Sequence, residues 1–171
     1  MSNKYSVGNK MKKGRVIALG TILACSIGLG TLSVEAGNDN LGYSFTIKKK
    51  QANSYTGTEY RQTTTERNTW KVRMYKSTEG TNTLTTYWLE KSNGTNVSPA
   101  VDVKAGSGDS KSGRNYYIKG NSGANAANVR LTAENNNLSS SSYSVNGYWD
   151  EETGRILPGQ YKEFYTTEYN N

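Results

Sequence analysis

Apolar and polar residues alternate along most of the chain after residue 40, and this period of two is typical of β-strands. The alternating positions fall into seven runs: Tyr43–Ile47, Trp70–Met74, Leu84–Trp88, Val101–Val103, Val129–Ala133, Tyr143–Val145 and a last run that begins at Phe164-Tyr165. Successive residues of a strand point to opposite sides of its sheet, so each run offers one face to a core. No segment of 12 or more residues after residue 36 has helical periodicity.

Turn-forming residues separate the runs. They are Glu79-Gly80, Asn93-Gly94, Gly106–Gly108, Gly120-Asn121 and Glu152–Gly154. The flexible segments 104–115 and 134–142 are expected to be long surface loops. We therefore predict an all-β fold for residues 37–171: a single antiparallel β-sandwich or small barrel of seven to nine short strands.

Residues 1–36 have the three parts of a secretory signal peptide. Five basic residues precede an uncharged, apolar stretch from Val16 to Leu32, and small residues follow it. We predict a signal peptide helix over 1–36, cleaved between Ala36 and Gly37, and a secreted, extracellular domain over 37–171. The true start of translation is left open between Met1 and Met11.

Three other interpretations of this leader fit its residues less well. A membrane anchor needs about 20 apolar residues, and this stretch is shorter and contains three glycines. Lipid attachment at Cys25 is disfavoured because apolar residues continue beyond it. A buried core helix does not explain the preceding lysines. The membrane is therefore expected to be a partner only during export.

The leader also carries much of the positive charge. The whole chain has 21 basic and 14 acidic residues, and five basic residues and one acidic residue precede Gly37. The remaining 135 residues therefore carry 16 basic and 13 acidic side chains. Lys48–Lys50 is the tightest basic run that remains, and a solvated strand end explains it. No nucleic-acid partner is expected, since such proteins concentrate Lys and Arg on one face.

Aromatic residues are expected to supply the core. Residues 37–171 contain only 16 Val, Ile, Leu and Met residues but 12 Tyr, 2 Phe and 3 Trp. Each large ring buries about 150–250 Å², so few side chains can build a core. We predict a folded domain with an aromatic interior and a Thr-, Ser- and Asn-rich surface.

The composition excludes several classes of chemistry. The chain has no His, so a Ser-His-Asp triad and His-containing zinc sites are excluded. Cys25 is the single cysteine and lies in the leader, so the secreted domain has no thiol. No calcium-loop or phosphate-loop spacing occurs. We expect no cofactor, no metal and no enzymatic activity.

Adjacent aromatic pairs are the candidate binding residues. In a strand, one member of a pair can fill the core while the other faces solvent, where a ring can stack on a sugar. The alternative is that both rings are buried or brace neighbouring strands. The four candidate binding residues are Tyr87, Trp88, Tyr148 and Trp149.

Two further functions remain alternatives. Paired carboxylates are the one catalytic device that the composition permits, and Glu134 with Asp150 or Glu151 would be the pair of an extracellular hydrolase. That pair must lie within about 10 Å, whereas a solvated turn explains the acidic residues as well. A structural matrix component is the other alternative, because Tyr- and Asn-rich strands can pair between chains.

Three segments resemble a family of small exported proteins of Gram-positive bacteria, catalogued as a domain of unknown function. They are Thr85–Leu89, Val129–Asn137 and Tyr143–Thr153, which includes Tyr-Trp-Asp-Glu-Glu-Thr. With Asn40–Phe45 the resemblance covers most of residues 38–155. It implies export and a single domain, and no activity. A fainter likeness, in the Tyr-, Asn- and Gly-rich strands, is to lactococcin-type bacteriocins.

The function expected from these observations is binding. The partner would be a component of the cell envelope, such as wall glycan or a lipid precursor, or another exported protein. A bacteriocin-like, antimicrobial role is one form of this hypothesis. The oligomeric state is left open.

Overall fold

A computed structural model describes residues 39–159 and 163–166 of the chain. The predicted signal peptide, its helix and the cleavage position between Ala36 and Gly37 lie outside these residues. In the described part, no helix is long and apolar enough to cross a membrane.

The described residues form nine strands and one short 3-10 turn, which confirms the all-β prediction. The strands are β1 (Leu41–Ile47), β2 (Ser54–Arg61), β3 (Thr69–Ser77), β4 (Leu84–Glu90), β5 (Val101–Lys104), β6 (Asn115–Lys119), β7 (Ala127–Asn135), β8 (Tyr143–Asp150) and β9 (Glu163–Thr166). The 3-10 turn spans Ser122–Ala124. All seven alternating runs lie within strands, and β2 and β6 are two strands that the alternation did not identify.

The strands form two antiparallel sheets. The five-stranded sheet has the order β1-β8-β3-β6-β9, and the four-stranded sheet has the order β2-β7-β4-β5. Every ladder between neighbours is antiparallel. Because residues of both sheets share one buried cluster, the predicted β-sandwich is confirmed.

Aromatic residues join the two sheets, as the composition predicts. The hydroxyls of Tyr43 on β1 and Tyr87 on β4 share a 2.9 Å hydrogen bond, and their rings lie 5.8 Å apart. Tyr143 on β8 shares a 2.9 Å hydrogen bond with Thr85 on β4. Trp70 and Trp149 complete the aromatic part of the core. Each tyrosine thus buries a ring and still satisfies its hydroxyl, so that burial carries little polar penalty.

Candidate functional site

The outer surface of the four-stranded sheet carries a pocket. On β7, Leu131 and Ala133 face the core, so Arg130 and Glu134 face outward. On β4, Tyr87 and Leu89 face the core, so Trp88 and Glu90 face outward. These two strands are paired, and Glu90 lies directly opposite Arg130. The outward-facing residues of β4 and β7 therefore form one polar and aromatic patch on the outer surface of the four-stranded sheet.

We call this depression the Trp88 pocket, and its volume is about 440 Å³. It is lined by Asn53, Tyr55, Trp88, Glu90, Gly94, Asn96, Ala100, Arg130 and Glu134. A turn after β4, in which the Lys91 amide donates to the Thr95 carbonyl over 2.9 Å, brings Gly94 and Asn96 to one side. The pocket is of the size that small-molecule sites have in proteins.

A continuous chain of contacts fixes the side chains of the Trp88 pocket. The guanidinium of Arg130 lies over the ring of Tyr55, with its carbon 3.7 Å from the ring centroid. Arg130 Nε donates to Glu90 Oε1 over 2.9 Å, and the two groups form an ion pair. Trp88 Nε1 donates to Glu90 Oε2 over 3.3 Å. Since each group is held by the next, the pocket is organised before any ligand arrives.

The electrostatics of the Trp88 pocket are close to balanced. Arg130 neutralises Glu90, and Glu134 is the remaining ionisable carboxyl of the lining. Burial raises the pKa of Glu134, and the nearby Asp102 carboxylate raises it further. The charge that the pocket presents is therefore small, and its polar groups are mainly hydrogen-bond donors and acceptors.

The structure separates the four predicted aromatic residues. Trp88 alone lines the pocket, and only 6% of it is exposed. Tyr87 and Trp149 are the members of their pairs that fill the core, so the list of four candidate binding residues is corrected to exclude these two. Tyr148 lies on the outer surface of the five-stranded sheet, where Arg73 donates to its hydroxyl over 2.7 Å and the hydroxyl donates to Asn115 Oδ1 over 3.0 Å. Tyr87 and Trp149 are buried because they point into the space between the two sheets, whereas their neighbours Trp88 and Tyr148 point outward.

The predicted carboxylate pair is not assembled. Glu134 lies on the outer surface of the four-stranded sheet. Asp150 belongs to the five-stranded sheet, where it is fully buried opposite Lys71 on β3. Glu151 follows Asp150 at the same end of β8. Glu134 and Asp150 thus lie on opposite outer surfaces of the sandwich, and this correction removes that catalytic pair.

The acidic end of β8 instead connects loops to the sandwich. Glu152 accepts hydrogen bonds from the amides of Gln62 and Thr63 over 3.1 and 2.6 Å. Thr153 shares a 2.7 Å hydrogen bond with Thr69. The Tyr-Trp-Asp-Glu-Glu-Thr segment therefore ties the chain after β2 to the start of β3. This arrangement gives Glu152 a structural role.

Sequence reasoning missed most of the Trp88 pocket. Tyr55 and Glu90 belong to no recognised motif, and Arg130 lies in the segment Val129–Asn137, whose family resemblance implies no site. A signal was nevertheless present: Glu90 and Arg130 each continue the outward-facing positions of their runs, at i+2 from Trp88 and i−2 from Thr132. Only the register of β4 against β7 shows that they meet. Among the described residues, no cluster of acidic, His or Cys side chains could hold a metal ion.

Fold and pocket together define an all-β sandwich with a polar, aromatic-lined depression on the outer surface of one sheet. The chain belongs to the family described as Protein of unknown function (DUF2712), which matches residues 32–153. The matched range includes every residue of the Trp88 pocket. No curated protein and no solved structure matches the chain.

Proposed function

We propose that this protein is an exported, non-enzymatic binding protein whose Trp88 pocket holds one or two sugar units of a cell-envelope glycan. The observation that carries the proposal is the fixed row of Tyr55, Arg130, Glu90 and Trp88 along one wall of the pocket. Export rests on the leader of residues 1–36 and secretion on the predicted cleavage after Ala36.

The chemistry of the lining matches a sugar. A sugar ring has apolar C–H faces that pack on aromatic side chains, and Tyr55 is 51% exposed. The hydroxyls of a sugar both donate and accept hydrogen bonds. The carboxylates of Glu90 and Glu134 can accept them, and the amides of Asn53 and Asn96 can do both. Such a site supplies packing and directional hydrogen bonds together.

The balanced charge favours an uncharged sugar over a phosphate-rich envelope polymer. Arg130 is the single cationic side chain of the lining, and its guanidinium is already paired with Glu90. A polyanion would meet the Glu134 carboxyl, and the second cation near the pocket is Lys48, whose amine lies 6.0 Å from the centroid of the Tyr55 ring. We therefore place neutral wall glycan before anionic polymers and lipid phosphates as the partner.

The test is binding of the chain, produced from the complete sequence, to purified wall glycan with its anionic polymers removed. Tyr55→Ala is expected to weaken binding about tenfold, a loss of ~1.4 kcal/mol. Trp88→Phe is expected to weaken it as well, because the indole donor to Glu90 is lost. Tyr60→Ala is the matched control, because Tyr60 lies on the same strand, is 52% exposed and does not line the pocket.

Two results would contradict the proposal. If the folded wild-type chain binds no glycan fraction, the proposed function is wrong. If it binds and Tyr55→Ala and Tyr60→Ala both bind as wild type does, another surface carries the activity. Circular dichroism of each variant shows that the fold is retained.

A further inference from the structure

Three side chains from neighbouring strands meet on the outer surface of the five-stranded sheet. Lys71 on β3 lies directly opposite Asp150 on β8. Leu41 at the start of β1 lies opposite Trp149, so Asn40 is next to the other side of Asp150. Sheet order places β8 between β1 and β3. The three residues therefore form a row from β3 across β8 to the residue that precedes β1, with Asp150 in the middle.

The amine of Lys71 is held between two acyl groups. Lys71 Nζ donates to Asn40 Oδ1 over 2.7 Å and lies 3.8 Å from Asp150 Oδ2. The side chains of Lys71 and Asp150 are both fully buried. Among the described residues, Asp150 Oδ2 has no hydrogen-bond partner. An amine, an amide and a carboxyl thus meet at one site, in which the amine and the carboxyl are buried and Asn40 is half-buried.

We propose that Lys71 and Asn40 are joined by an intramolecular isopeptide bond, formed with Asp150 as the proton carrier. This covalent link would be a modification site of the chain, and it does not depend on the glycan-binding proposal. Lys71 supplies the nucleophile, Asn40 the carbonyl carbon, and Asp150 moves protons between them.

The reaction balances without any co-reactant. The neutral Lys71 amine attacks Asn40 Cγ, and an Nζ–Cγ bond forms. Asp150 donates its proton toward the amide and recovers one from the Lys71 nitrogen. The Cγ–Nδ2 bond then breaks, and ammonia leaves. The product is a secondary amide, and Asp150 ends in its initial protonation state.

The surroundings of the row favour the neutral forms that this reaction needs. Burial lowers the pKa of Lys71, and the positive charges of Arg155 and Arg73 lower it further, against the opposing effect of Asp150. Burial raises the pKa of Asp150 to about 7, although the Lys71 charge and a hydrogen bond from the Glu152 amide act against the shift. Burial therefore favours the neutral form of both the Lys71 amine and the Asp150 carboxyl.

The bond would secure an edge of the sandwich. Strand β1 is at one end of the five-stranded order and pairs with β8 alone among the described strands. A link from Asn40 to Lys71 spans β8 and fastens the beginning of β1 to the third strand of the sheet. The edge strand β1 would then be covalently attached to β3, and this link would restrict local unfolding of the edge.

Mass spectrometry of the chain, purified from a host that expresses all 171 residues, tests this proposal. After denaturation and trypsin digestion, we expect a branched peptide that contains both Asn40 and Lys71, lighter than its two parts by one ammonia. Trypsin should fail to cleave after Lys71. Asp150→Asn and Asn40→Ala should each give separate peptides and normal cleavage.

Other outcomes decide against the bond. Unlinked Asn40 and Lys71 peptides from the folded wild-type chain would overturn it. A link from Lys71 to Asp150 with loss of one water would overturn the choice of Asn40. Loss of ammonia at Asn93 or Asn146, each followed by glycine, would show succinimide formation, with Lys71 still cleaved.

Discussion

At the scale of single residues, Gly147 on β8 has no room for a side chain. It lies opposite Tyr43 on one side and Met74 on the other. A Cβ atom there would lie 1.9 Å from the Arg73 carbonyl oxygen and 2.5 Å from the Tyr43 hydroxyl. The same hydroxyl donates to Arg73 over 3.1 Å, so the missing side chain makes room for an inter-strand hydrogen bond.

Gly147→Ala is therefore expected to lower the free energy of unfolding by about 3 kcal/mol, the upper end of the range for overpacked interiors. The clash is with backbone, which cannot rotate away. Gly42→Ala on the adjacent strand is the control, because a Cβ there meets no atom within 4 Å. Urea denaturation of both variants measures the difference. Equal stabilities would show that β8 can shift to accept the methyl group.

At the scale of elements, the end of β8 concentrates buried carboxyl groups. Burial is the main cause that raises the pKa of Glu151 to about 7, and the charges of Glu152, Asp39 and Glu59 add to it. Glu151 Oε2 is buried without a hydrogen-bond partner among the described residues. Asp150 has a pKa raised to about 7 as well. In the folded chain, Asp150 and Glu151 therefore keep their protons up to a higher pH than they do in the unfolded chain.

The sign of the pH dependence follows from that difference. Between about pH 4.5 and pH 7, the folded chain holds a proton on Glu151 that the unfolded chain has lost, so this group's contribution to stability decreases as pH rises. Glu151→Gln should be more stable than wild type at pH 7 and close to it at pH 4. Urea denaturation at both values checks this, with Glu79→Gln at an exposed turn as the control. A wild-type advantage at pH 7 would contradict it.

At the scale of the whole molecule, the two sheets depend on one core. Tyr43 and Tyr143 from the five-stranded sheet bond to Tyr87 and Thr85 of the four-stranded sheet. Arg61 at the end of β2 donates to the carbonyl of Glu151 beyond β8 over 3.3 Å. The two sheets are therefore in contact both in the middle of the sandwich and at this end. If one sheet unfolds, the core-facing side chains of the other become exposed to water.

We expect the described domain to unfold in one cooperative transition. Tryptophan fluorescence follows the core through Trp70 and Trp149, and far-ultraviolet circular dichroism follows all strands. The two denaturation curves should coincide in urea. Separate midpoints would show that one sheet can persist without its partner.

The sequence by itself determined the strands that have an apolar alternation. Val129, Leu131 and Ala133 follow the period of two closely and lie on the core side of β7. Strand β2, Ser-Tyr-Thr-Gly-Thr-Glu-Tyr-Arg, has no aliphatic residue, and its pairing with β7 shifts register between Tyr55 and Thr58. Its formation depends on backbone hydrogen bonds to β7, which local pattern does not reveal.

The tertiary structure alone decided which outward positions meet and which are covered. Alternation correctly places Arg73 away from the core, yet its Nε donates to the carbonyl of Ser112 in the loop before β6, over 2.8 Å, and Arg73 is fully buried. Trp88, Glu90 and Arg130 form a pocket wall only through the register of two strands distant in sequence. The alternation along a strand determines to which side of that strand each residue points. What lies on that side is set by residues tens of positions away, because packing joins segments that the chain order separates.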